Sequence, residues 1–168
     1  MATAVVVAHP DDETMWGAGF IMNNPCTVIC CSVPRVDPIR AYNFFRACEV
    51  LGAKGRLMPF TESEPSQLLS LSVDLSEFDR VVTHNSKGEY GHLHHLQVSR
   101  YVREHFDGEI IHFGYGMDGE PIKYDKNLKL EALKCYDHMT RYRGELMPKW
   151  EALLDRYGDF EETYVSAS

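Results

Sequence analysis

Residues 8–13, Ala-His-Pro-Asp-Asp-Glu, place one imidazole and three carboxylates directly after the apolar residues 4–7. The β-branched run is typical of a buried strand, and Pro10 ends it because proline cannot continue the hydrogen-bond ladder. Polar groups at such a strand exit are costly unless a positive charge lies among them. A divalent metal bound by His9 and one aspartate, with the second aspartate free for proton transfer, would account for the cluster. The alternative is an ordinary helix start, where acidic side chains favour the helix dipole without any chemistry.

A second polar cluster contains four of the eight histidines within residues 84–95. It follows another predicted strand and includes two glycines, which give the loop the freedom to bring side chains back over a site. If a helix starts near His92, that residue and His95 share one face at i, i+3, whereas His94 turns elsewhere. The spacing alone leaves open which of His92 and His95 is a metal ligand.

Two histidines and one aspartate form a hard-to-borderline ligand set that leaves coordination positions open, as catalytic zinc requires. Hydrolysis then needs two groups that are not ligands. A carboxylate takes the proton from metal-bound water, and a donor meets the oxyanion of the tetrahedral intermediate. Asp11 suits the first task and His92 the second. These residues therefore predict metal-assisted hydrolysis of an amide or ester.

The elements that position the two clusters alternate between strand and helix. Strands are predicted at residues 3–8, 26–33, 56–60, 79–83 and 109–113. Helices are predicted at residues 12–22, 38–51, 92–106, 126–142 and 148–157, and residues 61–76 are predicted to form a loop with a short helix inside it.

This alternation predicts a single α/β domain over residues 1–168, with a Rossmann-like, doubly wound, mostly parallel sheet and helices on both faces. The predicted strand order is 3-2-1-4-5, so that the first and fourth strands are neighbours where the order reverses. Sites in such sheets form beyond the carboxyl ends of the strands at this switch point. Both polar clusters are therefore expected at the same place.

Composition restricts the partners. The net charge of −8 disfavours nucleic acid and anionic membrane surfaces, which both require a positive field. No apolar stretch has the length needed to span a bilayer, and the N-terminus lacks the features of a secretory signal. The five cysteines show no CxxC spacing, so we expect reduced thiols in a cytoplasmic protein. The oligomeric state, including a homo-oligomer, is left open.

The two motifs together resemble a known family. Ala-His-Pro-Asp-Asp-Glu at residues 8–13, followed by Gly-Glu-Tyr-Gly-His-x-x-His at residues 88–95, is similar to the LmbE-like (PIG-L) family of zinc-dependent N-deacetylases, which act mainly on N-acetylglucosamine conjugates. The similarity extends weakly through residues 40–52 and appears again near residues 129–139. It implies removal of an acetyl group from an N-acetylated sugar or related small molecule, with Zn²⁺ or another divalent metal as cofactor.

The resemblance also implies roles for individual residues. The implied zinc ligands are His9, Asp12 and His95. Asp11 would be the general base, and His92 a general acid or oxyanion stabiliser. Tyr90 would polarise the scissile carbonyl, and Arg40 would contact the substrate.

The chain departs from the family pattern at informative places. The second motif commonly has Asp between its histidines, whereas this chain has His94, so a carboxylate that orients His92 must come from elsewhere. Three residues after Arg40 the family often carries Glu, and here Asn43 stands. Two alternatives to a deacetylase stay open: another metal-dependent amidase or esterase on the same site, and a non-catalytic metal-binding module.

Overall fold

A seven-stranded sheet forms the centre of the protein in a computed structural model, which describes residues 1–34, 38–58, 61–62, 71–158 and 160–167. The strands are β1 (Thr3–Val7), β2 (Thr27–Cys30), β3 (Val33–Pro34), β4 (Lys54–Leu57), β5 (Thr61–Glu62), β6 (Arg80–Thr83), β7 (Glu109–Phe113), β8 (Glu120–Pro121), β9 (Met139–Tyr142), β10 (Glu145–Pro148) and β11 (Thr163–Ser166). The helices are α1 (Asp12–Asn23), α2 (Pro38–Val50), α3 (Gly88–Gly91), α4 (Leu93–His105), α5 (Lys126–Lys134) and α6 (Lys149–Tyr157).

The strand order in the main sheet is β4-β2-β1-β6-β7-β11-β8. The first five strands pair in parallel, and β11 pairs antiparallel with both β7 and β8. These five are the strands predicted from the sequence, so the order 3-2-1-4-5 and the doubly wound, mostly parallel sheet are confirmed. The two strands at the far edge were outside the sequence prediction because β8 is only two residues long and β11 lies at the end of the chain.

Alternate residues of β1 pack into two separate apolar clusters, since successive side chains of a strand point to opposite faces. Val5 and Val7 belong to a cluster with α1, α2, α5 and α6. Ala4 and Val6 belong to the other cluster, which α4 covers through Val98 and Val102. The continuous apolar run of β1 is therefore buried on both sides, and the prediction of helices on both faces is confirmed.

The helix predicted at residues 126–142 is too long. Helix α5 ends at Lys134, and Met139–Tyr142 is instead the first strand of an antiparallel hairpin with β10. The hairpin turn consists of Arg143 at φ 49° and Gly144 at φ 87°, and two positive φ angles in a row suit the twist of a two-residue β-turn. This hairpin leads directly into α6, which carries residues that face the site.

The predicted loop over residues 61–76 and the predicted thiols complete the comparison of sequence and structure. Of the loop predicted over residues 61–76, residues 63–70 lie outside the described residues, while residues 61–62 form β5 and residues 71–76 contain no helix. All five cysteines are free thiols, as expected, and four of them are buried. Within the described ranges, no helix is both long and apolar enough to cross a membrane.

Candidate active site

The two polar clusters meet at the carboxyl edge of the sheet, because β1 and β6 are adjacent parallel strands. The turn after β1 is tight: the Asp12 carboxylate accepts the backbone N–H of His9 at 2.8 Å, and Asp12 N donates to the carbonyl of His9 at 3.2 Å. Asp11 lies in this turn at φ 103°, in a left-handed conformation that Asp adopts more readily than most residues. The turn holds both aspartates beside His9, and all three side chains are buried.

His95 carries the atom that best fits a metal ligand. Its Nε2 is buried and has no hydrogen-bond partner among the described residues, although Asp12 Oδ1 lies 3.3 Å away outside hydrogen-bond geometry. His9 Nδ1 lies 3.3 Å from the other oxygen of Asp12. A buried ring nitrogen without a partner costs free energy. A metal between these three residues would satisfy it.

Two overlapping groups have potential ligand atoms within 4.8 Å of one another: His9 with His92 and His95, and Asp12 with His84 and His95. His95 belongs to both groups. His84 is engaged elsewhere, because its Nε2 accepts the backbone N–H of Ala8 at 3.0 Å and therefore has no lone pair left for a metal. Neither group is the set implied by the family resemblance. Asp12 nevertheless lies 3.3 Å from both His9 Nδ1 and His95 Nε2, so the three implied ligands are neighbours, and their role as the ligand set stays a prediction.

One buried carboxylate supports both inner imidazoles. Glu89 Oε2 accepts hydrogen bonds from His84 Nδ1 at 2.8 Å and from His95 Nδ1 at 2.6 Å. Burial alone would raise the pKa of Glu89, but the charges and hydrogen bonds of the two histidines lower it to about 2. A metal-binding histidine commonly donates its other ring N–H to a carboxylate in this way. The contact leaves Nε2 as the nitrogen of His95 that can bind a metal.

The prediction that His94 turns away from the site is wrong. His94 is fully buried, and its Nδ1 lies 2.8 Å from His9 Nε2. The reason is that His92 is the N-cap of α4, with an extended backbone at φ −70° and ψ 126°, so helical spacing begins only after it. Since His94 contacts Nε2, His9 keeps Nδ1 for the side that faces Asp12. His94 therefore supports His9, a contact that the spacing of the histidines does not predict.

Asp11 is paired with cations. Arg40 Nη2 donates to Asp11 Oδ2 at 2.9 Å, and Lys149 Nζ lies 3.6 Å from the same oxygen. Arg40 also donates its Nε and Nη2 to the carbonyl of Pro10, at 3.1 and 2.9 Å. These contacts connect Arg40 to the turn after β1, and its contact with substrate stays a prediction.

Glu13, the third carboxylate of the first motif, lies beneath this turn and is fully buried. Its Oε2 accepts the backbone N–H of Asp11 at 3.0 Å, and its Oε1 accepts the hydroxyls of Tyr136 at 2.6 Å and Thr14 at 2.7 Å. Burial raises the pKa of Glu13 to about 7, against the effect of these hydrogen bonds. Because it is inaccessible, Glu13 acts on the site by fixing the backbone of Asp11.

His92 is a half-buried imidazole beside the candidate ligands. Its Nδ1 accepts the backbone N–H of His94 at 3.2 Å, so in the neutral ring the proton is on Nε2. Burial and the neighbouring His9 and His95 lower the pKa of His92 to about 3. A neutral ring with Nε2–H as donor is suited to bind an oxygen atom that gains negative charge.

A cavity of about 240 Å³ opens over these residues. Its floor is formed by the buried His9, Asp11 and Asp12 with the half-buried His92. Helix α6 contributes the buried Leu153 to the wall, and Lys149, Arg156 and Tyr157 to the rim. Tyr90 completes one wall at 42% exposure, with its ring centroid 6.0 Å from Trp16 and 5.4 Å from Tyr157. The predicted residues Asp11, Tyr90, His92 and Arg40 all line this cavity together with His9 and Asp12. His95 lies behind them and is fully buried.

Sequence reasoning missed two kinds of site residue. Glu89 lies within the second motif. Its place in the sequence between His84 and His92 could have indicated a carboxylate that supports a histidine. Lys149 and Arg156 carry no local signal, because they reach the cavity only through the hairpin that precedes α6. The site therefore contains a positively charged wall that neither motif predicts.

Solved structures share this fold at low sequence identity. N,N'-diacetylchitobiose deacetylase from Pyrococcus horikoshii matches with a TM-score of 0.66 at 14% identity, over 99% of this chain and 83% of that protein. A deacetylase in the biosynthesis pathway of teicoplanin matches with a TM-score of 0.66 at 13% identity, over 100% and 99% of the two chains. The 4-carboxy-2-hydroxymuconate hydratase from Pseudomonas putida matches with a TM-score of 0.58 at 16% identity, over 100% and 97%.

Two of these neighbours are deacetylases, and at 13 and 14% identity they share the fold of this chain, in agreement with the fold that the resemblance of the two motifs implies. No family model and no curated protein sequence matches the chain. The same fold is also found in a hydratase. Function must therefore be argued from the residues of the site, since one fold supports several reactions.

Proposed function

We propose that this protein is a metal-dependent hydrolase that removes an acetyl group from the amide of an N-acetylated sugar or related small molecule. The observation that carries the proposal is the buried His95 Nε2, which has no hydrogen-bond partner among the described residues and lies 3.3 Å from Asp12. A second carboxylate, Asp11, lines the same cavity outside the ligand set. A purely structural metal site has no need of such a carboxylate.

The proposed ligands are His9, Asp12 and His95. Two imidazoles and one carboxylate that leave a coordination position open suit Zn²⁺, and other divalent metals accept the same donors. Zinc held by these residues would lower the pKa of a bound water molecule and polarise a carbonyl group. His94 and Glu89 orient the two histidine ligands by contacts at 2.8 and 2.6 Å.

The remaining residues supply proton transfer and charge stabilisation. Asp11 is the proposed general base, held at the cavity floor by Arg40 at 2.9 Å. His92 is proposed to donate from Nε2 to the oxyanion, or to act as general acid toward the leaving amine. Tyr90 is proposed to polarise the scissile carbonyl from the cavity wall. Arg40 is proposed mainly to position Asp11, and its direct contact with substrate stays a prediction.

The family resemblance indicates an acetyl group, and the cavity limits the size of the substrate. A volume of about 240 Å³ is below the roughly 300–1,000 Å³ of typical small-molecule pockets, so it encloses about one ring-sized group. The aromatic walls formed by Trp16, Tyr90 and Tyr157 suit the apolar face of such a ring.

We propose that residues 1–168 act as one catalytic domain in the cytoplasm.

The test is acetate release from a panel of N-acetylated amino sugars, followed by mass spectrometry of the products. Protein treated with a chelator should lose activity, and added zinc should restore it. Metal content of about one ion per chain should accompany the active state. A chain that binds metal but releases another acyl group would point to the amidase or esterase alternative, and a chain that binds metal without any hydrolysis would point to a binding module.

A further inference from the structure

The cavity has an excess of positive charge in a protein whose net charge is −8. Three cationic side chains line it, Arg40, Lys149 and Arg156, against the carboxylates of Asp11 and Asp12. A divalent metal would add two further positive charges. A cavity of this kind attracts anions locally even though the whole protein is acidic.

Arg156 is the cation that the described contacts leave uncompensated. Asp11 already accepts Arg40 at 2.9 Å and has Lys149 at 3.6 Å, whereas Arg156 has no ion-pair partner among the described residues. Its guanidinium lies 5.4 Å from the ring centroid of Tyr90 and 5.2 Å from that of Tyr157. Contact with two rings keeps the guanidinium at the cavity while its donors stay available.

The two ends of a bound molecule would meet different residues of the cavity. The candidate metal ligands and Asp11 form the floor, and Arg156 is an exposed residue of the rim. Since the cavity encloses about one ring, a substituent on that ring would leave through the rim and meet Arg156 and Lys149. The planar guanidinium of arginine matches the paired oxygens of a carboxylate or a phosphate.

We propose that the substrate carries an anionic group, a carboxylate or a phosphate, on the part of the molecule that faces α6, and that Arg156 binds it. This inference rests on the proposed function for the identity of the reaction. It adds a chemical class of substrate, and it explains why Arg156 faces a cavity in which Asp11 is already paired with Arg40 and Lys149.

The chain offers a matched control for Arg156. Arg143 also lies over a tyrosine ring, at 5.2 Å from Tyr142, but it pairs with Asp155 at 3.1 Å and does not line the cavity. Arg156→Gln and Arg143→Gln therefore remove the same charge from beside a tyrosine ring, in one case at the cavity and in the other away from it. Arg156→Lys keeps the charge and removes the planar pair of donors.

The experiment compares zinc-loaded protein on three probes: neutral N-acetylglucosamine, N-acetylglucosamine 6-phosphate and N-acetylmuramic acid, which carries a carboxylate. At least one anionic probe should have a kcat/KM about tenfold above the neutral one. Arg156→Gln should raise the KM for that probe about tenfold with little change in kcat, and Arg156→Lys should have an intermediate effect. Arg143→Gln should match the unmodified protein. The anionic probe whose kcat/KM exceeds that of the neutral probe identifies the bound group as a phosphate or a carboxylate.

Equal kcat/KM values for all three probes would overturn the inference, and so would an equal loss on all three in Arg156→Gln, which would mean a structural role. If no probe releases acetate, the proposed function fails first, and calorimetry with the amines glucosamine, glucosamine 6-phosphate and muramic acid still tests the anion site. Tighter binding of an anionic amine, weakened in Arg156→Gln only, supports it. Equal binding of all three amines rejects it.

Discussion

The floor and the rim of the cavity are built in different ways. The floor follows two central parallel strands and is supported by hydrogen bonds between buried groups, such as that between Glu89 and His95. The rim comes from one helix near the end of the chain, and it contacts the floor through the pair of Lys149 and Asp11. Buried, mutually supported groups are held rigidly, whereas exposed side chains adapt. We therefore expect the floor to set metal affinity and rate, and the rim to set substrate affinity.

Removal of a ligand should have the largest effect. His95→Ala and Asp12→Ala should each weaken zinc binding by roughly a thousandfold, on the order of 4 kcal/mol, because the binding free energy of such sites is shared among few ligands. Competition with a chromophoric chelator measures the affinity. His105→Ala is the matched control, since His105 lies on the same helix but is exposed and contacts the carbonyl of Tyr101. Unchanged affinity in both ligand variants would refute the assigned site.

Loss of the general base should come next. Asp11→Asn should lower kcat by roughly a hundredfold while zinc content stays near one ion per chain, since Asp11 is outside the ligand set. Asn also tolerates the left-handed conformation at φ 103°, so the turn should persist. Single-turnover kinetics and metal analysis measure the two effects. The control is Asp107→Asn at an exposed position, and turnover equal to that control would assign the base to another group.

Removal of the Glu89 carboxylate, which supports His95, should have a smaller effect than loss of the general base, and zinc affinity should show it first. Glu89→Gln should weaken zinc binding by about 10–100-fold, the usual range for a partner of a metal ligand. Glu104→Gln is the control because Glu104 is an exposed residue of α4 paired with Arg100. Chelator competition on both variants compares them. A variant that keeps full affinity but melts earlier would reduce Glu89 to a packing role.

Substitution of Arg40 should have the smallest effect on activity. It also distinguishes a role in positioning Asp11 from a direct contact with substrate. Because its described contacts are with Asp11 and Pro10, Arg40→Gln should lower kcat by about tenfold and leave KM nearly unchanged. A direct contact with substrate would instead raise KM by about tenfold. Arg46→Gln, on the same helix at 42% exposure, is the control. A rise in KM alone would move Arg40 from support of the floor to binding of substrate.

The sequence could predict where the floor lies because both polar clusters follow a strand, whereas the roles of their residues stay predictions. Once β1 and β6 are neighbours, the segments that follow them meet at one edge of the sheet, which brings His9 and Asp12 near the second cluster. His94 was harder, because its direction depends on which residue caps α4. The sequence shows a run of histidines there and does not show where the helical backbone begins.

The rim could not be predicted in the same way. Residues 139–142 follow a helix and were assigned to it, but they pair with β10 as a hairpin. That pairing, together with the two left-handed residues Arg143 and Gly144, decides where α6 starts. Its position is a property of tertiary packing, and no spacing of residues around Lys149 or Arg156 records it.

The hairpin has a consequence for how this chain can diversify. It delivers α6 to the cavity mouth as a module, and the described carboxyl end of α6 is followed by Gly158 at φ 69°. Substitutions on the cavity side of this helix leave the register of β1 and β6 untouched. New substrate preferences can thus be sampled at residues of this helix such as Arg156 and Tyr157, away from the contact between Lys149 and Asp11, which makes α6 the first place to look for divergence and the first target for redesign.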